Sequence, residues 1–188
     1  MAPRNGHAHF DKGQVLKAQR RFEEAIPEFE AAIASHFNNG GAYANLGWCK
    51  FLTGSIDEVI PLEEKALRIG PDEPFLGTVY FWIGLVELLK SHTKEAIAAF
   101  ERSRNDVSEF VYMGNGHSFL AAAYALEGQS ERAAAELAEA RGLGNDNRWS
   151  SISRVEVKLS KDYPTEKVRA LFETTYVAGL RKAGMPEQ

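Results

Sequence analysis

Few residues in this chain are of types and at spacings that could do chemistry. His7 and His9 stand two apart near the N-terminus and could suggest a metal site. On a helix that spacing sends the two imidazoles to different sides, and no Cys or acidic cluster completes a ligand set. His36, His92 and His117 fall near helix ends, where a loop or capping role is expected. Gly114-Asn115-Gly116 follows no strand, so it is no dinucleotide loop. Cys49, the single cysteine, sits between Trp48 and Lys50 inside a helical stretch and reads as a small packed thiol. The acid pairs Glu23-Glu24 and Glu63-Glu64 follow helical charge patterning and are expected on solvated faces. The residues therefore point to no catalytic, cofactor or metal site, and to no enzyme.

What remains is framework. The chain has 188 residues, 44% hydrophobic and 26% charged, long enough for one sizeable core. A net charge of −4 with basic residues interspersed among acids argues against nucleic acid as a partner. The N-terminus lacks the apolar core of a signal peptide, and the apolar stretch 75–89 is interrupted and too short to span a bilayer. A cytoplasmic protein without a membrane partner is expected. One cysteine excludes an internal disulfide framework.

The chain repeats itself. Counting from Gly6, Gly40, Gly77 and Gly114, the eighth residue is Gly13, Gly47, Gly84 or Ala121. The twentieth is Ala25, Val59, Ala96 or Ala133, and the twenty-seventh Ala32, Ala66, Ser103 or Ala140. Small residues at fixed offsets let two antiparallel helices approach closely while large apolar side chains fill between them. Helix pairs are expected over 5–19 with 22–35, 40–53 with 56–68, 75–90 with 93–105, and 114–127 with 130–142. Pro27 and Pro61 recur at one repeat position early in each second helix, where a slight bend is tolerated.

The second unit carries Tyr43, Leu46, Gly47, Gly54, Ala66 and Pro71. The third carries Tyr80, Ile83, Gly84, Ala96 and Phe100, and the first Gly13, Ala25, Phe29 and Ala32. A looser fourth has Leu120, Ala121, Tyr124, Gly128, Ala133, Leu137 and Ala140. This pattern resembles the tetratricopeptide repeat (TPR) over roughly three-quarters of the chain. The resemblance implies an all-α, right-handed superhelical solenoid of antiparallel helix pairs, ending in C-terminal capping helices. It implies a single domain over 1–188, with repeats at about 6–39, 40–73, 77–110 and 114–146. Caps are expected at about 147–160 and 164–184, because an open-ended solenoid leaves its last apolar face uncovered. In the final helix Val168, Leu171, Phe172, Thr175, Tyr176 and Gly179 follow an i, i+3, i+4 rhythm.

A narrower resemblance covers the second half. ALRIGPDEPFLGTVYFWIGL, AAAYALEG and GLRKAGMPE are similar to C-terminal repeat regions of bacterial proteins that carry an adenylate/guanylate cyclase or winged-helix regulator domain. The metal-binding and nucleotide residues of that group belong to the head domain, so none carries over.

In the repeat family the first helices line a concave face, here expected to be apolar and aromatic in its middle. Phe10, Trp48, Phe51, Phe81, Leu85 and Leu88 are the expected contact surface for a protein or peptide partner. The exchange of both Trp48 and Phe81 for alanine is expected to weaken that contact without unfolding the chain. The subtype that grips C-terminal carboxylates needs Lys, Asn and Arg on successive first helices, and Asn45 stands nearly alone. The alternative is that the chain fills its own groove with the 165–183 helix or by self-association, since Trp48, Phe51, Phe81 and Leu85 together are costly in water.

Overall fold

The computed structural model describes residues 4–35, 39–70, 76–105, 115–143, 147–163 and 165–188. His36, Pro71, Gly114 and Pro164 lie outside the described residues. Every regular element among those described is helical. The first pair is α1 (Arg4–Ala18) with α2 (Phe22–Ala34), the second α3 (Gly40–Leu52) with α4 (Val59–Ile69). The third is α5 (Leu76–Leu89) with α6 (Thr93–Asn105), the fourth α7 (Asn115–Leu126) with α8 (Ser130–Leu143). Within each of the four pairs the two helices pack most heavily on each other, and the second helices of the first three pairs pack next on the following pair, the contact pattern of a superhelical TPR solenoid.

The pairs close at one recurring turn. The fifteenth residue of each repeat, Arg20, Gly54, Ser91 or Gly128, has positive φ. In each turn that residue and its successor donate backwards to the last carbonyls of the first helix, as when Gly54 bonds Phe51 at 3.0 Å and Ser55 bonds Lys50 at 2.8 Å. This αL ending satisfies carbonyls that would otherwise be orphaned.

Side-chain complementarity holds each pair together. A Cβ placed on Gly13 would lie 2.7 Å from Phe29, and one on Gly84 would lie 2.7 Å from Phe100. The Phe100 ring cannot retreat, because Phe81 and Phe119 sit 5.7 Å away on it, centroid to centroid. Gly84→Ala is therefore expected to cost about 1–3 kcal/mol of overpacking. Thermal unfolding should show a loss of roughly 2–4 °C per kcal/mol.

One member of the second pair breaks the pattern. The position held by Phe29, Phe100 and Leu137 in its siblings is Glu63, and Glu63 is fully buried, with a Gly47 Cβ site 2.7 Å from its Oε1. The solvated face expected for this residue is thus corrected. It occupies the interhelical knob position, which turns inward whatever residue type it carries.

The two prolines are accommodated differently. Pro27 lies inside α2. A 3₁₀ turn over Ile56–Glu58 delays α4 to Val59, so Pro61 falls in its first turn, where the N–H it lacks would have had no acceptor within α4.

Beyond α8 the chain doubles back. Helix α9 (Ile152–Asp162) starts later than the expected 147, after a turn through Asn147 with φ of 55°. It is followed by α10 (Glu166–Phe172), a π-helical turn (Glu173–Val177) and α11 (Ala178–Lys182). Side chains four apart drift about 40° per step on a 3.6-residue helix. The wider π turn lets Phe172, Tyr176 and Leu180 stay buried together. The C-terminal residues then cap α9, with Ile152 N–H on Pro186 O at 2.8 Å and Ser153 N–H on Glu187 O at 3.1 Å.

Candidate functional site

The first helices of the pairs present one continuous face, and the tail crosses it. Gly179 lies so close to α7 that a Cβ there would sit 2.7 Å from Ala122 O. Tyr176 lies tilted on Phe119 at 4.2 Å between centroids and shares a 2.8 Å hydrogen bond with Ser118 Oγ. Burial raises the Tyr176 phenol far above its ordinary pKa, so it stays neutral. The tail is tied to the pair-closing turns as well. Lys167 donates to Gly54 O at 3.3 Å, and Lys182 to Leu126 O at 3.4 Å. Arg20 donates to Lys161 O at 3.0 Å and Asp162 O at 3.2 Å.

This packing sorts the six expected contact residues. Phe51 is fully buried, with Trp82 at 5.3 Å, Tyr163 at 5.8 Å and Phe172 at 6.4 Å. Phe81 is buried against Phe119 at 5.4 Å, and Leu85 and Leu88 are buried too. Alanine at Phe81 is thus a core truncation, and its effect on binding cannot be separated from its effect on folding. Phe10 stays half-buried, edge-on to Phe29 at 6.0 Å. Trp48 is also half-buried, stacked on Trp82 at 5.9 Å and covered by Lys17 Nζ at 4.7 Å. Lys17 also donates to Asn45 Oδ1, whose amide nitrogen donates to Gly41 O at 2.6 Å. Burial holds the Lys17 ammonium below its usual pKa.

Between this face and α9 lies a partly open cleft of about 210 Å³. Its floor is Phe81, Phe119, Trp149, Val155, Leu159 and Tyr176, all buried. Its rim combines the half-buried Trp48, Trp82 and Tyr163 with the polar Thr78, Asn115, Lys158 and Asp162. Lys158 and Asp162 pair with each other one helical turn apart. Sequence reasoning missed Trp82 and Phe119 as groove residues. Both stand sixth in their repeats, and the aromatic side chain recurring at that position was the available signal. Trp149 and Tyr163 enter through the path of the tail, which no periodicity encodes.

Three of the histidines, His9, His92 and His117, pair with glutamates of the frame. His9 shares a 2.7 Å hydrogen bond with Glu28, and His117 does the same with Glu136 at equivalent repeat positions. The His9 and Lys12 contacts hold the Glu28 carboxyl below its usual range. His92 pairs with Glu87 at 2.7 Å. Burial pushes the Cys49 thiol up to about 12, which leaves it unreactive at ordinary pH. Among the described residues no group of three or more His, Cys, Asp or Glu could hold a metal ion. No helix among them is long and apolar enough to cross a membrane.

Residues 10–74 match the family model described as the tetratricopeptide repeat. Among curated proteins none matches the chain significantly. Solved structures do. YrrB, described as a TPR protein with an unusual peptide-binding site, superposes with a TM-score of 0.63 at 16% identity, covering 92% of this chain and 84% of its own. MamA from Desulfovibrio magneticus superposes with a TM-score of 0.66 at 14% identity, covering 96% and 95%. PilF of Pseudomonas aeruginosa gives 0.66 at 19% identity, covering 90% and 82%. At these identities the likeness is one of fold.

Proposed function

We propose that this TPR solenoid is a non-catalytic protein-interaction scaffold that binds a peptide on the part of its concave face the tail leaves uncovered. The observation that carries this reading is the unequal burial along that face. Phe51, Phe81, Leu85 and Leu88 are closed over, while Trp48 and Trp82 keep exposed area at the rim of a cleft and Phe10 is half-buried on α1. Apolar aromatic surface kept accessible at a concavity is the usual mark of a recognition site. The fold shared with a peptide-binding TPR protein supports the same reading. Phe10, Trp48 and Trp82 carry the contact, and the four buried residues hold its shape.

The test is affinity purification from the native cell with wild type and Trp48→Ala. The variant is expected to lose its co-purifying partner at least tenfold, about 1.4 kcal/mol, while helicity by circular dichroism is unchanged. Retention of the partner at wild-type yield would remove Trp48 from the contact and overturn the reading.

A second reading is favoured by the way the tail fills the groove. In it the chain is a self-associating unit, or the accessory module of a cyclase or regulator protein, and binds no free peptide. Light scattering across micromolar concentrations checks self-association, and a strictly monomeric chain dismisses that arm.

A further inference from the structure

The cleft between the repeats and α9 has a composition that narrows what it can hold. Its floor is apolar apart from the Tyr176 hydroxyl, bonded to Ser118, and the Trp149 indole N–H, buried without a hydrogen-bond partner among the described residues. The single charged pair on its rim, Lys158 with Asp162, cancels itself. An anion entering it would lose water without gaining an opposite charge, so an anionic group is excluded, and a cation would find only ring faces, of which Trp48 is already covered by Lys17. Its volume of about 210 Å³ exceeds that of the roughly 150 Å³ apolar cavities known to take up benzene. The rim adds the Thr78 hydroxyl and the Asn115 amide, groups able to bond a main chain passing over the opening. An apolar floor beneath a hydrogen-bonding rim matches a side chain attached to a polypeptide better than a free hydrocarbon.

From this we infer that the cleft is a specificity pocket that takes one uncharged aromatic side chain of the bound peptide, of a size between phenyl and indole. The inference rests on the scaffold reading above and gives it a recognition rule. The pocket exists only because the tail doubles back, since Trp149, Val155 and Leu159 form one wall and the repeat helices the other. The edge-to-face ring arrangements already present, such as Phe81 on Trp82 at 5.7 Å and 81°, show the geometry an incoming ring would join.

All three tryptophans of the chain line this cleft, which supplies a direct reporter. The indole N–H signals of ¹⁵N-labelled protein are followed while free indole is added as the probe. Saturable shifts of the Trp48, Trp82 and Trp149 signals are expected, and their absence would overturn the pocket. Thr78→Phe and Asn115→Phe each narrow the mouth from a different helix and should weaken indole by about tenfold, with melting followed in parallel. Unchanged indole affinity in whichever variant remains folded would also overturn it. Selection of displayed random peptides then tests the source. Enriched peptides should share an aromatic residue, and its replacement by alanine should cost at least about tenfold. Peptides that enrich without an aromatic residue and ignore both variants would sink the pocket while leaving the scaffold reading intact. Indole binding with no peptide enriched would sink the scaffold reading, and with it the assignment of the pocket to a peptide.

Discussion

Phe172→Ala is expected to lower the unfolding free energy by about 3–5 kcal/mol, the cost of deleting a fully enclosed aromatic side chain. Phe172 has no exposed surface and meets Phe51, Phe119, Tyr163 and Tyr176 at centroid distances of 4.4 to 6.4 Å. A domain of ordinary stability has about 5–15 kcal/mol in total, so this one truncation is a large fraction of it. Urea unfolding followed by circular dichroism measures it. A loss under about 1 kcal/mol would mean that the tail is a loosely docked arm and not part of the core. The same contact decides how the groove works. Lifting the tail would expose Phe172, Tyr176, Val177 and Leu180 together with the repeat surface beneath them. At about 1.5–3 kcal/mol for each large apolar side chain, opening the groove to water is costly.

The second large effect has the opposite sign. Glu63→Leu is expected to raise stability at pH 7 by about 1–3 kcal/mol, since both carboxylate oxygens of Glu63 are buried without a hydrogen-bond partner among the described residues. Leucine already fills the equivalent position as Leu137. Burial raises the Glu63 pKa well above its usual value. Between the unfolded value near 4.5 and the raised folded value, the folded chain holds a proton the unfolded chain has released. Stability from this group is therefore complete below about pH 4.5 and is lost as pH rises through the folded value. Wild type and Glu63→Leu should converge in acid and separate toward neutral and alkaline pH. Taking their difference cancels the opposite contribution of Glu28 and Glu136, whose folded pKa values are lowered. Curves that run parallel from pH 4 to pH 8 would show that Glu63 is solvated or paired in solution.

The recurring elements were legible because their causes are local. Small residues at the eighth, twentieth and twenty-seventh positions allow close helix approach, and those at Gly13, Gly84 and Ala121 meet Phe29, Phe100 and the neighbouring core as the spacing requires. The closing turns recur at Arg20, Gly54, Ser91 and Gly128 because a helix ends the same way in each unit. Glu63 was misread for an instructive reason. Residue type argued for solvent, but the repeat position dictates direction, and position prevailed.

By itself the sequence determined the helices, their pairing and the solenoid they build, since hydrophobic period, small-residue offsets and turn residues act within one or two repeats. Only the tertiary structure decided which aromatic residues are buried and which keep exposed area. Phe51, Phe81, Trp48 and Trp82 all lie on first helices, α3 and α5, and are all aromatic. They differ in what packs against them, Phe172 and Tyr163 of the tail on Phe51, and Phe119 of α7, itself covered by Tyr176 of the tail, on Phe81. The cleft likewise belongs to no single repeat. It is the space left between a periodic face and an aperiodic segment returning over it, and its shape is set by long-range packing.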